Sequence, residues 1–281
     1  MTTRQRGSVP IGQLLLAPRS GELQFGADTI GFAGVHGGLT TAVLTASMQE
    51  RVPDRRLQSV SADFLRPTPV TVNTNVELIR DGRSASFLNA TAAGVDAAAG
   101  QHAVRASAVF SAARDGDPPA DLPHHAEPAP AAPPPRQCEL VDLATLVPFA
   151  RHTEIRAVGP NRPFSGAADA ELLAWIRFTD DDRSPDELRL IVLLDSLAPS
   201  VFATATRPTI APSVRLTVHP SAGLRTATEP WLLVRATARQ VSSDGWFTEQ
   251  IDGWTPQGVH VGVGYQLRLL SVDHVMPRAD Q

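Results

Sequence analysis

The chain has 281 residues, 42% of them hydrophobic and 19% charged, enough apolar material for one large or two medium cores. A net charge of −4 and a pI near 6.1 argue against a protein that coats nucleic acid or an anionic membrane. One cysteine, Cys138, excludes an intramolecular disulfide and argues against a cysteine-ligated metal, so neither metal nor cofactor is expected.

All 25 basic residues are arginine, which leaves phosphate contacts to arginine, backbone N–H groups or hydroxyls. Met1 to Pro10 is polar with two arginines, unlike a signal peptide, and no apolar run is long enough to span a bilayer. A cytoplasmic protein is expected.

In chain order, Gly37-Gly38 opens a helical stretch to about Glu50, with Leu39, Val43, Ala46 and Met48 on a partly apolar face. Alternating segments follow at Ser59–Leu65, Thr71–Ile79, Ser84–Ala92 and His102–Phe110, with Asp81-Gly82 as a hairpin signal. From Asp115 to Arg136 the chain is rich in Pro and Ala and cannot bury enough surface to offset its ordering entropy, so it reads as a semi-rigid, unpaired linker. Three units result: an N-terminal unit 1–114, the linker 115–136, and a C-terminal unit 137–281. His124-His125 falls in the linker without a spaced partner and reads as solvated.

The second unit repeats the order of the first. Ser184-Pro185-Asp186-Glu187 is a helix start with Ser184 as cap and Glu187 closing a capping box, and the apolar run Leu188–Leu197 continues it. Strand-like segments follow at Val214–His219, Trp231–Val241, Trp246–Trp254 and Val259–Leu270, with turns at Asp244-Gly245 and Pro256-Gln257-Gly258. Ser59-Val60 aligns with Ser213-Val214, Asp81-Gly82 with Asp244-Gly245, and Gly100…His102 with Gly258…His260. One helix and a long antiparallel meander, twice over, is an α+β layout in which each sheet wraps its helix. That is a tandem hotdog.

Val35-His36-Gly37-Gly38, Ser61-Ala62-Asp63-Phe64-Leu65-Arg66-Pro67, Leu194-Asp195-Ser196 and Gly264-Tyr265-Gln266, in this order and spacing, resemble the double-hotdog acyl-CoA thioesterases of the thioesterase II type. The resemblance covers nearly the whole chain apart from the linker. It implies hydrolysis of an acyl-CoA or acyl-carrier-protein thioester at a site formed by Asp195, Ser213 and Gln266. Thr209 stands nearby as the alternative hydroxyl. His219-Pro220 departs from the aromatic pattern of the family.

Taken on its own chemistry, Asp195 sits in an apolar helix, where a carboxylate must be hydrogen-bonded, perturbed, or at a helix end that escapes to solvent. Ala108 stands where Gln266 stands in the second unit, and the first helix has no carboxylate before Glu50, so one site per chain is expected. Thioester hydrolysis needs an activated water and donors for the developing oxyanion. Asp195 is the candidate base, Gln266 and Ser213 position water, and His36, Gly37 and Gly38 lie at a helix N-terminus that can offer N–H groups. Gly37-Gly38 also suits tight helix–sheet packing. Arg66, Arg235 and Arg239 are candidates for CoA phosphates.

The missing Gly-x-Ser-x-Gly elbow argues against a serine α/β-hydrolase. Two other readings stay open on the same fold. One is a hydratase or dehydratase, which would want a His within a turn of Asp195; the other is a non-catalytic acyl-thioester-binding module. A homo-oligomer is expected.

Overall fold

The computed structural model describes residues 10–16, 21–112 and 126–275; the linker's His124-His125 lies outside them. A short helix α1 (Ile11–Leu14) and strand β1 (Gly21–Gln24) precede the long helix α2 (Gly37–Gln49), then β2 (Arg55–Phe64), β3 (Thr71–Asp81), β4 (Ala85–Gly94) and β5 (Val104–Ala112). After the linker come β6 (Glu139–Leu140), β7 (Thr153–Ala157), β8 (Glu171–Phe178) and helix α3 (Glu187–Leu194). The chain then forms β9 (Thr209–Ile210), β10 (Ser213–Pro220), β11 (Leu232–Val241), β12 (Trp246–Trp254), β13 (His260–Leu269) and β14 (Ser271–Val275). Twelve described strands make one sheet in the order β1-β3-β4-β5-β2-β10-β13-β12-β11-β8-β7-β6. The architecture is the double hotdog, and each expected strand segment is a strand.

The two units meet where β2 pairs with β10, and the register there reveals the internal symmetry. Ser61 stands opposite Thr217, with Val60 opposite Val218 and Ala62 opposite Leu216. The Ser61 and Thr217 hydroxyls are 2.9 Å apart. Each strand also carries a bulge against its other neighbour, between Leu57 and Ser59 in β2 and between Ser213 and Arg215 in β10. Superposing the bulges makes Ser61 and Thr217 counterparts across the pseudo-twofold axis.

This register corrects the sequence alignment. The counterpart of Ser213 is Leu57, and Ser59 corresponds to Arg215. A slip of two residues keeps every side chain on its face, so alternation alone does not detect it. Ala108 remains the counterpart of Gln266, because Ala108 faces Val60 while Gln266 faces Leu216. Asp81-Gly82 and Asp244-Gly245 lie in corresponding hairpins but not at corresponding positions, since Asp81 ends its strand while Asp244 lies in the loop.

Helix α2 is buried from Gly38 to Met48, so it has no polar face to give the usual amphipathic period. Its hydroxyls are satisfied within the helix: Thr41 donates to Gly37 O (2.9 Å), Thr45 to Thr41 O (2.7 Å) and Ser47 to Val43 O (3.0 Å). Helix α3 is shorter than its apolar run suggests. Its N-cap is Asp186 and not Ser184, because the extended Asp186 accepts from Arg189 N at 2.8 Å. It ends at Leu194 with Asp195 as C-cap; the Ala198-Pro199 step downstream disfavours continuation.

The described part of the linker has no helix or strand from 126 to 134, but it is not free of partners. Trp254 Nε1 donates to Glu127 O and Trp175 Nε1 to Pro133 O, both at 2.8 Å. Arg235, expected among the phosphate candidates, instead bonds Glu127 at 2.8 Å and stacks over Trp254. Arg239 donates to Gln250. Among the described residues no helix is long and apolar enough to cross a membrane.

Candidate active site

The antiparallel packing of α2 against α3 brings the start of one helix to the end of the other. Asp195, 8% exposed, closes α3, and Gly38 N–H, in the first turn of α2, donates to Asp195 Oδ2 at 2.6 Å. Both N-terminal unit and C-terminal unit are needed for this bond. From β13, Gln266 Nε2 donates to the other oxygen, Asp195 Oδ1. Ser213 Oγ, at the start of β10, donates to Gln266 Oε1 at 3.4 Å. The three residues singled out in the sequence therefore form one chain of contacts, Ser213 to Gln266 to Asp195. Thr209 lies in β9 and pairs with β14, so Ser213 is the hydroxyl that meets Gln266.

The glycine pair serves two purposes. A Cβ on Gly38 would sit 2.7 Å from Asp195 Cβ and 3.1 Å from Ile191 O, so Gly38 permits the two helices to touch. Its N–H is taken by the carboxylate and is not free to meet a ligand. Gly37 N–H has no partner among the described residues, and Gly37 lines the adjoining cavity.

That cavity is about 360 Å³ and is bordered by both units. Asp195, Ser213 and Gly37 lie on its wall with Phe64, Phe149 and Leu197, so a few polar groups border a largely apolar space. This is the usual make-up of a small-molecule site. Arg66 also borders it and is exposed, which keeps Arg66 a candidate for phosphate.

The acyl-CoA thioesterase N-terminal domain matches residues 26–111, and the acyl-CoA thioesterase C-terminal domain matches residues 119–270. The chain belongs to the acyl-CoA thioesterase family. An acyl-CoA thioester is the substrate this family implies. Solved structures share the fold at low identity. A conserved protein of unknown function with a hot dog fold from Alicyclobacillus acidocaldarius is 23% identical with a TM-score of 0.78, covering 90% of this chain and 93% of its own. A candidate thioesterase II from Thermobifida fusca is 22% identical with a TM-score of 0.75, covering 94% and 100%. An acyl-CoA thioesterase II from Mycobacterium marinum is 21% identical with a TM-score of 0.64, covering 84% and 88%. No curated protein matches this sequence.

Within this thioesterase fold His36 is a tie between the helices. Its Nδ1 accepts from Leu39 N at 3.3 Å, which makes it the N-cap of α2, and its Nε2 lies 3.2 Å from Asp195 O. The ring stacks on Phe149 with centroids 3.7 Å apart. Burial holds its pKa below the ordinary 6.5, outweighing the raising influence of Asp195. A neutral ring with Nδ1 accepting and Nε2 donating fits these partners.

A stability consequence follows from that sign. The folded pKa is depressed, so the unfolded chain binds the proton more readily. The contribution is complete above about pH 6.5 and is lost as pH falls towards the folded value. We expect the wild-type melting temperature to drop between pH 7 and 5 more steeply than that of His36→Asn, since asparagine can still cap the helix but does not titrate. Parallel melting curves would remove the assignment.

Two buried residues of the site went unrecognised in the sequence, Glu249 and Arg268, at 1% and 4% exposure. Isolated charges in strands usually face solvent. The repeat held the available signal: their counterparts, by the pairing of β4 with β5 and β12 with β13, are Leu88 and Phe110, both inward-facing and buried. Counted from the N-caps, the counterpart of Asp195 is Thr45. The first unit thus places Leu57, Ala108 and Phe110 where the second places Ser213, Gln266 and Arg268.

Proposed function

We propose that the chain hydrolyses the thioester of an acyl-CoA or acyl-carrier protein, with Asp195 as general base. The observation that carries this reading is a buried carboxylate on the cavity wall, held by Gly38 N–H and Gln266. Water, oriented by Ser213 and Gln266, gives its proton to Asp195 as its oxygen attacks the thioester carbonyl carbon. The C–S bond then breaks, and the proton passes to the departing thiolate. Gly37, first in α2 and on the cavity wall, offers its N–H to the developing oxyanion at the positive end of the helix.

A hydratase would want an imidazole placed to exchange protons with substrate. His36 is the imidazole beside Asp195, and both its nitrogens are engaged in holding α2 to α3. The test is free-thiol release from butyryl- to palmitoyl-CoA, with Asp195→Asn in parallel. Absence of thiol release from every substrate would favour the binding-module reading.

Gln266 only positions water in this scheme. Gln266→Ala should therefore lower kcat by less than loss of the base, about 10-fold against the 10²–10⁴-fold typical of a general base. Ser213→Ala should lower it less again, and Ser59→Ala should leave turnover intact while altering stability slightly. Steady-state kinetics of the three variants decides this; a larger loss in Ser59→Ala than in Ser213→Ala would move the active site out of the C-terminal unit.

A further inference from the structure

Arg268 and Glu249 form a buried ion pair that the scheme above does not use. Arg268 Nε donates to Glu249 Oε1, and Nη1 donates to Ala211 O at 3.0 Å. Glu249 Oε2 in turn accepts from Ser200 N at 2.9 Å and Ser200 Oγ at 2.8 Å. The third nitrogen, Arg268 Nη2, lies 3.7 Å from Asp195 Oδ1, the same oxygen that accepts from Gln266. With Nε and Nη1 fixed, the planar fork leaves its last edge directed towards Asp195.

The fold itself does not require these charges. The N-terminal unit builds the same strand pair with Leu88 and Phe110 at the counterpart positions, 1% and 0% exposed. A buried ion pair is generally no more stabilising than a well-packed apolar pair of similar size. The difference between the units at these two positions coincides with the difference at Asp195 and Gln266. The charged pair accompanies the carboxylate.

We propose that Arg268 is a positioning residue for thioester hydrolysis. Its fixed guanidinium, 3.7 Å from the oxygen to which Gln266 is bound, limits where that side of the carboxylate can move. Glu249 anchors the guanidinium. The proposal rests on the reading of Asp195 as general base. Among the described residues, the charged or titratable groups facing Asp195 are His36 from the start of α2 and Arg268 from β13; Glu249, on β12, acts through Arg268.

The test uses the acyl-CoA that the wild type turns over fastest in a butyryl- to palmitoyl-CoA series, with kcat, KM and melting temperature measured for each variant. Arg268→Gln should lower kcat at least about tenfold through misplacement of the base, with KM little changed. Glu249→Gln should lower kcat less, because Arg268 keeps its bond to Ala211 O. A merely structural pair would lower the melting temperature without a selective loss of kcat. The double variant Glu249→Leu/Arg268→Phe copies the first unit, so it should fold, with the same selective loss of kcat as Arg268→Gln.

A wild-type kcat in Arg268→Gln would overturn the proposal. So would a folded double variant with wild-type kcat, or a double variant that fails to fold. If either single variant does not fold, the double variant decides alone by the same criteria. Asp195→Asn separates the two levels: wild-type activity there removes the base itself, whereas an inactive Asp195→Asn beside a wild-type-like Arg268→Gln removes only Arg268.

Discussion

Turnover of Asp195→Asn is expected to fall by about 10²–10⁴-fold, the usual consequence of losing a general base, while the fold survives. The two carboxylate oxygens accept from different donors, Gly38 N–H and Gln266 Nε2. Asparagine supplies one acceptor and one NH₂ group. Its oxygen can keep the Gly38 bond, and a flipped Gln266 can present its own oxygen to the new NH₂. The hydrogen bonds then close again, without a base. Melting temperature and thiol release together test both parts. Direct attack by the carboxylate, forming an acyl anhydride, is the competing chemistry. A single turnover in isotopically labelled water separates the two: label in the Asp195 side chain identifies a nucleophile, and label only in the released acid identifies a base. Wild-type turnover by Asp195→Asn would remove the residue from the mechanism.

Gly38→Ala is expected to damage stability and activity together. The added methyl would meet Asp195 Cβ at 2.7 Å and Ile191 O at 3.1 Å, and neither a helix backbone nor a Cβ can rotate away. The helices must part, at about 1–3 kcal/mol for overpacking. The 2.6 Å bond from Gly38 N to Asp195 lengthens in consequence, and a displacement of this order lowers turnover by roughly 10²-fold. Gly37→Ala is the control. There the nearest atom is the tip of the Phe64 ring at 2.9 Å, which can swing aside, so stability should change less. Equal, wild-type-like behaviour of both variants would show that the helix contact is looser than its geometry.

The strands were legible because their apolar residues alternate and their turns are marked. Trp246–Trp254 was readable to the residue. Strand β8 was missed for a physical reason: its run Leu172-Leu173-Ala174-Trp175-Ile176 is buried on both faces, one in the core and one beneath the linker, which erases alternation. Strand β1 is a short edge strand with mostly exposed positions and offers no apolar pattern. Asp195, Ser213 and Gln266 were singled out through motif order, and their side chains meet in the structure. Glu249 and Arg268 were not found, because a charge in a strand reads as solvent-facing unless its internal counterpart is compared. The two-residue slip at Ser59 shows how that comparison fails when a bulge is invisible.

Since Asp195 comes from one unit and the N–H that holds it from the other, the centre is in effect a heterodimer written into a single polypeptide. Two C-terminal units facing each other would set Leu188, the counterpart of Gly38, against the carboxylate, where a Cβ already has no room. Two N-terminal units would offer Thr45 and no acid. As separate chains the unlike halves would have to find each other in competition with barren like pairs. Covalent continuity enforces one-to-one stoichiometry and supplies a local concentration in about the millimolar range. The corresponding place in the N-terminal unit is filled instead by the buried side chains of Leu57, Leu88, Ala108 and Phe110.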